Sequence, residues 1–379
     1  KLGTDEAAAE MFAEARAQDH GYCFPFRLET ATVLRLAQES ESSDPLSHYC
    51  LGNLLYERQP WAAVREWEAA DSLGTTIPTV YRNLAQAQVR LEQDIGRAAN
   101  SMERAVQLDP SDPRLYFELD LMYEAAGFPA AERLAVLEAA HQTIADHNDA
   151  LGRKVRILTE LGRYDAAIEL MTTHHFRRWE GLGNIHTTYV DAHLLRAADH
   201  LGAGRFSEAM ADYAAALQYP RNLEVAVPYQ GGRACEVHYL MGEAYRMAGD
   251  SAAAISSYET AATAPRSSDR STLDYYQGMA LRRLGRIEEA QQLFDALIAY
   301  ARARLESLQA GSSLEFFAKF GSRRSLNEQR AEAYYLLGLG YLGKGDQASA
   351  RTMMYQALEY DPNHMWARTH LASGRNPPR

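Results

Sequence analysis

Twelve histidines and three cysteines are the side chains of this 379-residue sequence best suited to hold a metal or act as base or nucleophile. His186, His193 and His200 recur at seven-residue spacing and fall near one stripe of a helix. Seven residues is about 10 Å of helical rise, too far for two ligands of one ion. Helical metal sites need ligands three or four residues apart, and no two histidines have that spacing. His174 and His175 are adjacent and so point to different faces. Cys23, Cys50 and Cys235 are odd in number and scattered, with no Cys-x-x-Cys. That excludes a disulfide framework and a cysteine zinc site, and it suits a reducing, cytoplasmic compartment. The glycines of Gly338-Leu339-Gly340 and Gly343-Lys344-Gly345 lack the preceding strand and the Gly-Lys-Ser/Thr ending of a phosphate loop. No Gly-x-Ser-x-Gly elbow occurs. Asp5-Glu6 and Glu288-Glu289 read as helix-start charge. The sequence predicts no metal, no nucleotide or other cofactor, and no catalysis in this segment.

Composition and periodicity decide what these side chains are mounted on. The chain is 46% apolar and 23% charged with a net charge of −11, which argues against a nucleic-acid partner. No apolar run approaches a membrane span, and no signal peptide is visible at Lys1. Opening on a residue other than Met reads as a piece of a longer protein. Lys1, Lys154, Lys319 and Lys344 are the only lysines among 39 basic residues. Alanine is roughly one residue in six, so the bias leans toward helix.

One unit then repeats. Near the C-terminus run Tyr334, Leu337-Gly338, Tyr341, Gly345, Ala350, Met354, Ala357 and Pro362. Upstream come Gly242, Tyr245, Gly249, Ala254 and Tyr258, and then Gly278, Leu281, Gly285, Ala290 and Phe294. Weaker copies lie at Gly204-Ala209-Tyr213, Gly162-Ala167-Met171, Ala85-Ala98-Met102 and Gly52-Trp67. Small residues recur where two antiparallel helices must approach, and a bulky residue fills the space beside them. This pattern resembles the tetratricopeptide repeat. The resemblance implies an all-α, right-handed α-solenoid of about eight helix pairs with an N-terminal helical cap. The partner of the helix around Tyr116–Tyr123, at about 130–145, has drifted from the pattern.

The expected organisation is a helical cap over 1–44, repeats over 45–300, an insertion over 301–330, and a last repeat with a tail over 331–379. The insertion carries Phe316-Phe317 and Phe320, which read as cover for an exposed flank or as a binding patch. Three stretches are more particular: Phe24-Pro25-Phe26-Arg27-Leu28-Glu29-Thr30, Tyr189-Val190-Asp191-Ala192-His193 with Tyr219-Pro220-Arg221-Asn222-Leu223-Glu224, and Leu337-Gly338-Leu339-Gly340-Tyr341-Leu342-Gly343. Together they resemble the C-terminal tetratricopeptide region of large bacterial proteins that carry an N-terminal β-rich domain of unknown function. That resemblance implies carbohydrate chemistry in a neighbouring domain.

In tetratricopeptide arrays the residue after the opening aromatic position faces the concave groove. Here it is Tyr49, Tyr239, Tyr275 and Tyr335, with Asn53, Arg156, Glu243, Arg246, Met279 and Arg282 one and two turns along. Tyrosine offers apolar area with a polar tip, which suits a peptide surface. Packing between repeats explains the same tyrosines equally well. The expected function is an interaction scaffold for a peptide, a protein or an adjacent domain. The alternative is the helical tail of a carbohydrate-active protein.

Overall fold

The computed structural model describes residues 5–18, 20, 23–177, 185–228, 231–265, 270–309 and 326–373. Among these residues there are twenty α-helices and no strand, in an all-α helical-repeat arrangement. Two compact units divide the chain, 1–153 and 154–379.

The first unit holds α1 (Asp5–Arg16), α2 (Thr30–Ser40), α3 (Pro45–Leu55), α4 (Pro60–Ser72), α5 (Pro78–Ala87), α6 (Ile95–Leu108) and α7 (Pro113–Ala125). After them come α8 (Ala130–Ala139), α9 (His141–Ile144) and α10 (Asn148–Glu160), and the unit boundary falls inside α10. Proline opens α3, α4, α5 and α7, where a missing N–H costs nothing. The carboxylates of Asp44 and Asp112 cap α3 and α7 by accepting from the Leu46 and Arg114 amides. Tyr49, Trp67, Leu84, Met102 and Leu119 build the core. The Trp67 indole lies where a Cβ on Gly52 would stand, so α3 and α4 close on the smallest residue.

The drifted segment at 130–145 is not one helix. It breaks at Ala140 into α8 and α9. A buried ion cluster stands in place of the small and aromatic pattern. Arg133, fully buried, donates from Nε and Nη2 to the Asp120 carboxylate at 2.8 and 3.0 Å. Arg153 donates to Asp120 at 2.5 Å and to Glu124 at 2.6 Å.

The second unit holds α11 (Tyr164–Thr173), α12 (Ile185–Gly202), α13 (Phe206–Ala216), α14 (Ala234–Met247), α15 (Ser251–Ala262), α16 (Thr272–Arg283), α17 (Ile287–Gln309), α18 (Leu326–Lys344), α19 (Gln347–Tyr360) and α20 (Met365–Ser373). From α12 to α19 the helices pair as first and second members. The repeat's small residue meets its bulky one: an added Cβ would stand 2.5 Å from Tyr258 at Gly242 and 2.5 Å from Phe294 at Gly278. The turns between partners pass through Gly249 and Gly345 at φ of 82° and 85°, a left-handed conformation that glycine adopts without strain. Gly340 and Gly343 bring α18 against Ile298 and Phe294 of α17, so this glycine-rich run is a packing face. The helix α17 runs on to Gln309. The Phe316–Phe320 patch lies outside the described residues.

Candidate functional site

The four tyrosines expected along a groove are core residues. Tyr49, Tyr239, Tyr275 and Tyr335 are 0, 7, 6 and 2% exposed, so the packing alternative describes them and they offer no solvent-facing surface. In the second unit the physical reason is ring packing within and between helix pairs, with His370 of α20 over Tyr275 and Tyr335. The Tyr239 ring sits 6.1 Å from that of Tyr258 and 5.9 Å from that of Tyr276. Tyr275 meets Tyr276 edge-on at 5.2 Å and Phe294 at 6.3 Å. Burial pushes all four phenol pKa values up.

The polar companions are mostly engaged in holding the repeats. Asn53 donates to the Cys23 carbonyl at 2.7 Å and accepts from Trp67 and Asn83. Arg156, half-buried on α10, donates to Glu160 at 3.0 Å. Burial works against the Glu243 carboxylate, yet donation from Arg283 at 2.6 Å and Tyr258 at 2.6 Å, with Arg246 at 3.1 Å, holds its pKa below the usual range. Arg282 donates to the Gly343 carbonyl at 2.5 Å. Met279 is half-buried against the core of the second unit. Arg246 and Arg282 remain exposed on first helices. The structure thus brings together Tyr239, Glu243 and Arg246 on α14, and Tyr275 with Tyr335 further along, rather than one ten-residue site.

The histidines also have structural partners. His186 stacks on Tyr219 at 4.0 Å and donates from Nε2 to the Gln218 carbonyl at 2.8 Å. His193 pairs with Asp212 at 2.7 Å, and His175 with Glu224 at 2.7 Å. Among the described residues no group of three His, Cys, Asp or Glu converges as metal ligands. No described helix is long and apolar enough to cross a membrane.

What sequence reasoning missed lies at α20. Trp366 donates from its indole Nε1 to Asp191 of α12 at 3.0 Å, across 175 positions of sequence. Arg233, at the start of α14, donates to Asp191 at 2.5 Å and to both oxygens of Glu236 at 2.7 and 3.1 Å. Its guanidinium lies 5.6 Å from the Trp366 ring. Burial pushes the Asp191 carboxyl up in spite of Arg233. Burial also opposes the charge of Arg233, but Asp191 and Glu236 hold its pKa well above the usual value. One turn further on, the His370 ring packs 6.3 Å from Tyr275 of α16 and 5.9 Å from Tyr335 of α18. The helix α20 thus packs against α19 and, through Trp366 and His370, also reaches Asp191 of α12, Arg233 at the start of α14, Tyr275 of α16 and Tyr335 of α18. Its His370 ring covers two of the tyrosines expected in a groove. A tryptophan just beyond the helix-ending Asp361-Pro362 was the signal in the sequence.

Two segments of the second unit, 273–302 and 331–364, match family models of the tetratricopeptide repeat. Both segments are tetratricopeptide repeats. The first spans α16 and the opening part of α17, and the second spans α18 and α19 and ends just before α20. Among solved structures, the chain is similar to YrrB, described as a TPR protein with an unusual peptide-binding site. That match is 16% identical, covers 49% of this chain and 92% of the other, and has a TM-score of 0.38. Naa15/Naa10 bound to HypK-THB matches at 14% identity over 91% of this chain and 57% of the other, with a TM-score of 0.34. A tetratricopeptide repeat protein from Parabacteroides merdae matches at 16% identity over 73% and 99%, with a TM-score of 0.30.

Proposed function

We propose that the chain is an interaction scaffold whose first-helix face, formed by α12, α14, α16 and α18, holds a segment of a partner protein, and that it carries out no chemistry itself. The observation that carries this reading is the seating of α20 on that face through the Trp366–Asp191 hydrogen bond. A surface that binds one amphipathic helix by a buried carboxylate and an aromatic floor is built for recognition. A net charge of −11 disfavours nucleic acid as the partner. The three free cysteines fit a reducing cytoplasm. Residues 1–44 serve as the cap of the array and 301–330 as an insertion within it.

A second reading makes this chain the helical part of a larger carbohydrate-active protein with a β-rich domain. Its support is an exposed apolar set in the first unit: Phe26 at 83%, with Phe24, Leu28, Val33 and Leu36 about half exposed. An adjoining domain would cover such a set.

Photo-crosslinking amino acids separate these readings. Placed at Arg246 and Arg282 on first helices, they are expected to capture polypeptide in cells, while Ile255 on α15 and Tyr355 on α19 do not. Capture only from the second helices, or from Phe26 alone, would refute the first reading.

A further inference from the structure

The occupant of the first-helix face is the chain's own end, and three features of the contact make it replaceable. Asp191, Arg233 and Glu236 are already joined by charge-assisted bonds, so the site stands complete when the indole leaves. His370 Nε2 is sealed among aromatic rings without a hydrogen-bond partner. Leaving a buried polar atom unsatisfied weakens docking, and a helix with an apolar residue at that place avoids the loss. Finally, α20 has nine residues, too few to hold a helix without its tertiary contacts.

The side chains that reach the first helices are Trp366 and His370, and Ala367 and Leu371 are buried beside them. Spacing of one, four and five residues puts them on one side of a helix and of no other regular conformation. Arg368 and Ala372 face outward. The face thus reads a defined pattern. An indole N–H meets Asp191 while its ring lies beside Arg233, a small residue follows, and His370 with the apolar Leu371 come one turn later.

We propose that α20 is a self-ligand that closes this face, and that its competitor is an amphipathic helix of a partner protein bearing tryptophan, then a small residue, then an apolar residue in place of His370. The inference rests on the scaffold reading above and specifies its partner. Opening and closing follow from competition: the partner helix must bind the face more tightly than α20 does at its high local concentration.

The test uses the full chain and a fluorescein-labelled peptide of residues 361–373. Trp366→Ala should open the face, so that the peptide binds this variant about ten-fold or more tightly than the unchanged chain. A peptide carrying His370→Leu should bind more tightly still, and adding Asp191→Ala to the chain should abolish the gain. A Trp366→Ala chain that keeps its helicity and melting transition but binds no better than the parent would overturn the proposal. If that variant does not fold, hydrogen exchange on the unchanged chain decides. Amides of α20 should exchange by local opening at least about ten-fold faster than those of α18 and α19. Exchange of α20 only together with them would refute displacement. A dimer formed by trading α20 between copies, seen by light scattering, would also refute it, since the face would then serve a second copy. Crosslinks from Arg246 and Arg282 with no peptide binding would sink this inference and leave the scaffold reading intact.

Discussion

Gly278 and Gly338 hold equivalent places in neighbouring helix pairs, yet a methyl group added to each meets different surroundings. At Gly278 it would stand 2.5 Å from the Phe294 ring, which is fully buried and cannot retreat. At Gly338 its nearest atoms are Met354 Cγ at 3.2 Å, on an unbranched side chain that can turn aside, and the Ala350 carbonyl oxygen at 3.3 Å, which needs a shift of only a few tenths of an ångström. Alanine gains about 1 kcal/mol of helix propensity over glycine, against about 1–3 kcal/mol lost to overpacking. Gly278→Ala should therefore destabilise by up to about 2 kcal/mol in urea unfolding, while Gly338→Ala costs less. Equal losses would show that ring placement does not set the cost. His370 gives a pH signature at the same scale. Burial, with His364 beside it, lowers its pKa from 6.5 to about 4, and Tyr275, Tyr335 and Trp366 complete its surroundings. Glu332 lies 3.6 Å from His364. Because the folded value is the lower one, the unfolded chain takes up the proton first. The contribution is intact above pH 6.5 and is lost as pH falls toward 4, by about 3 kcal/mol at most. Unfolding midpoints at pH 7 and pH 4.5 should separate further for the parent than for His370→Leu. An unchanged difference would mean that the imidazole is charged in the folded chain.

Helices whose pairing rests on size were legible, and those held by charge were not. Gly242 with Tyr258 and Gly278 with Phe294 announce their partnership by type and spacing, because close approach demands a small residue. The segment after Tyr123 follows another rule. Its fixed points are Arg133 and Arg153 on one carboxylate, Asp120, which a pattern of small and aromatic residues does not register. The same blindness hid the candidate site, where Asp191 and Arg233 meet Trp366 from three distant stretches. Tyrosine positions were legible, but not their direction, since burial depends on which helix lies over them. The Asp120 cluster tests this distinction. Removing the shared carboxylate leaves two buried guanidinium groups with Glu124 as their remaining carboxylate partner, and breaking a buried pair in this way costs about 3–5 kcal/mol. Asp120→Ala should lower stability by that order, measured by urea unfolding with a tyrosine or tryptophan signal from the first unit. Replacing Asp120, Arg133 and Arg153 together by leucine, methionine and methionine, with Glu124→Gln so that no carboxylate is stranded, should recover most of the loss. If the combined variant is no better than the single one, the cluster contributes more than mutual neutralisation.

In an array of repeats each pair contacts its neighbours, so stability sums nearest-neighbour terms and ends fray first. The second unit departs from that scheme, because α20 follows the last repeat yet hydrogen-bonds to α12, four pairs back. This contact closes the unit on itself and couples its first and last pairs through the site where a partner is proposed to bind. Disturbing α20 should then be felt at α12 in preference to the second helices between them. In Trp366→Ala, amides of α12 and of the start of α14 should lose protection by about ten-fold, while those of α15, which lies outside the α20 contact, stay near their parent values. Hydrogen exchange followed by mass spectrometry of peptides from 185–202, 234–247 and 251–262 reads all three at once. Adding the partner-like peptide to the variant should restore α12 to parent protection, because the indole it brings meets the same Asp191. Loss spread evenly over α12 to α19 would mean that Trp366 supports the unit as ordinary core. Loss confined to α18 and α19 would mean that the contact across 175 positions carries no coupling, and the unit would be a simple linear stack.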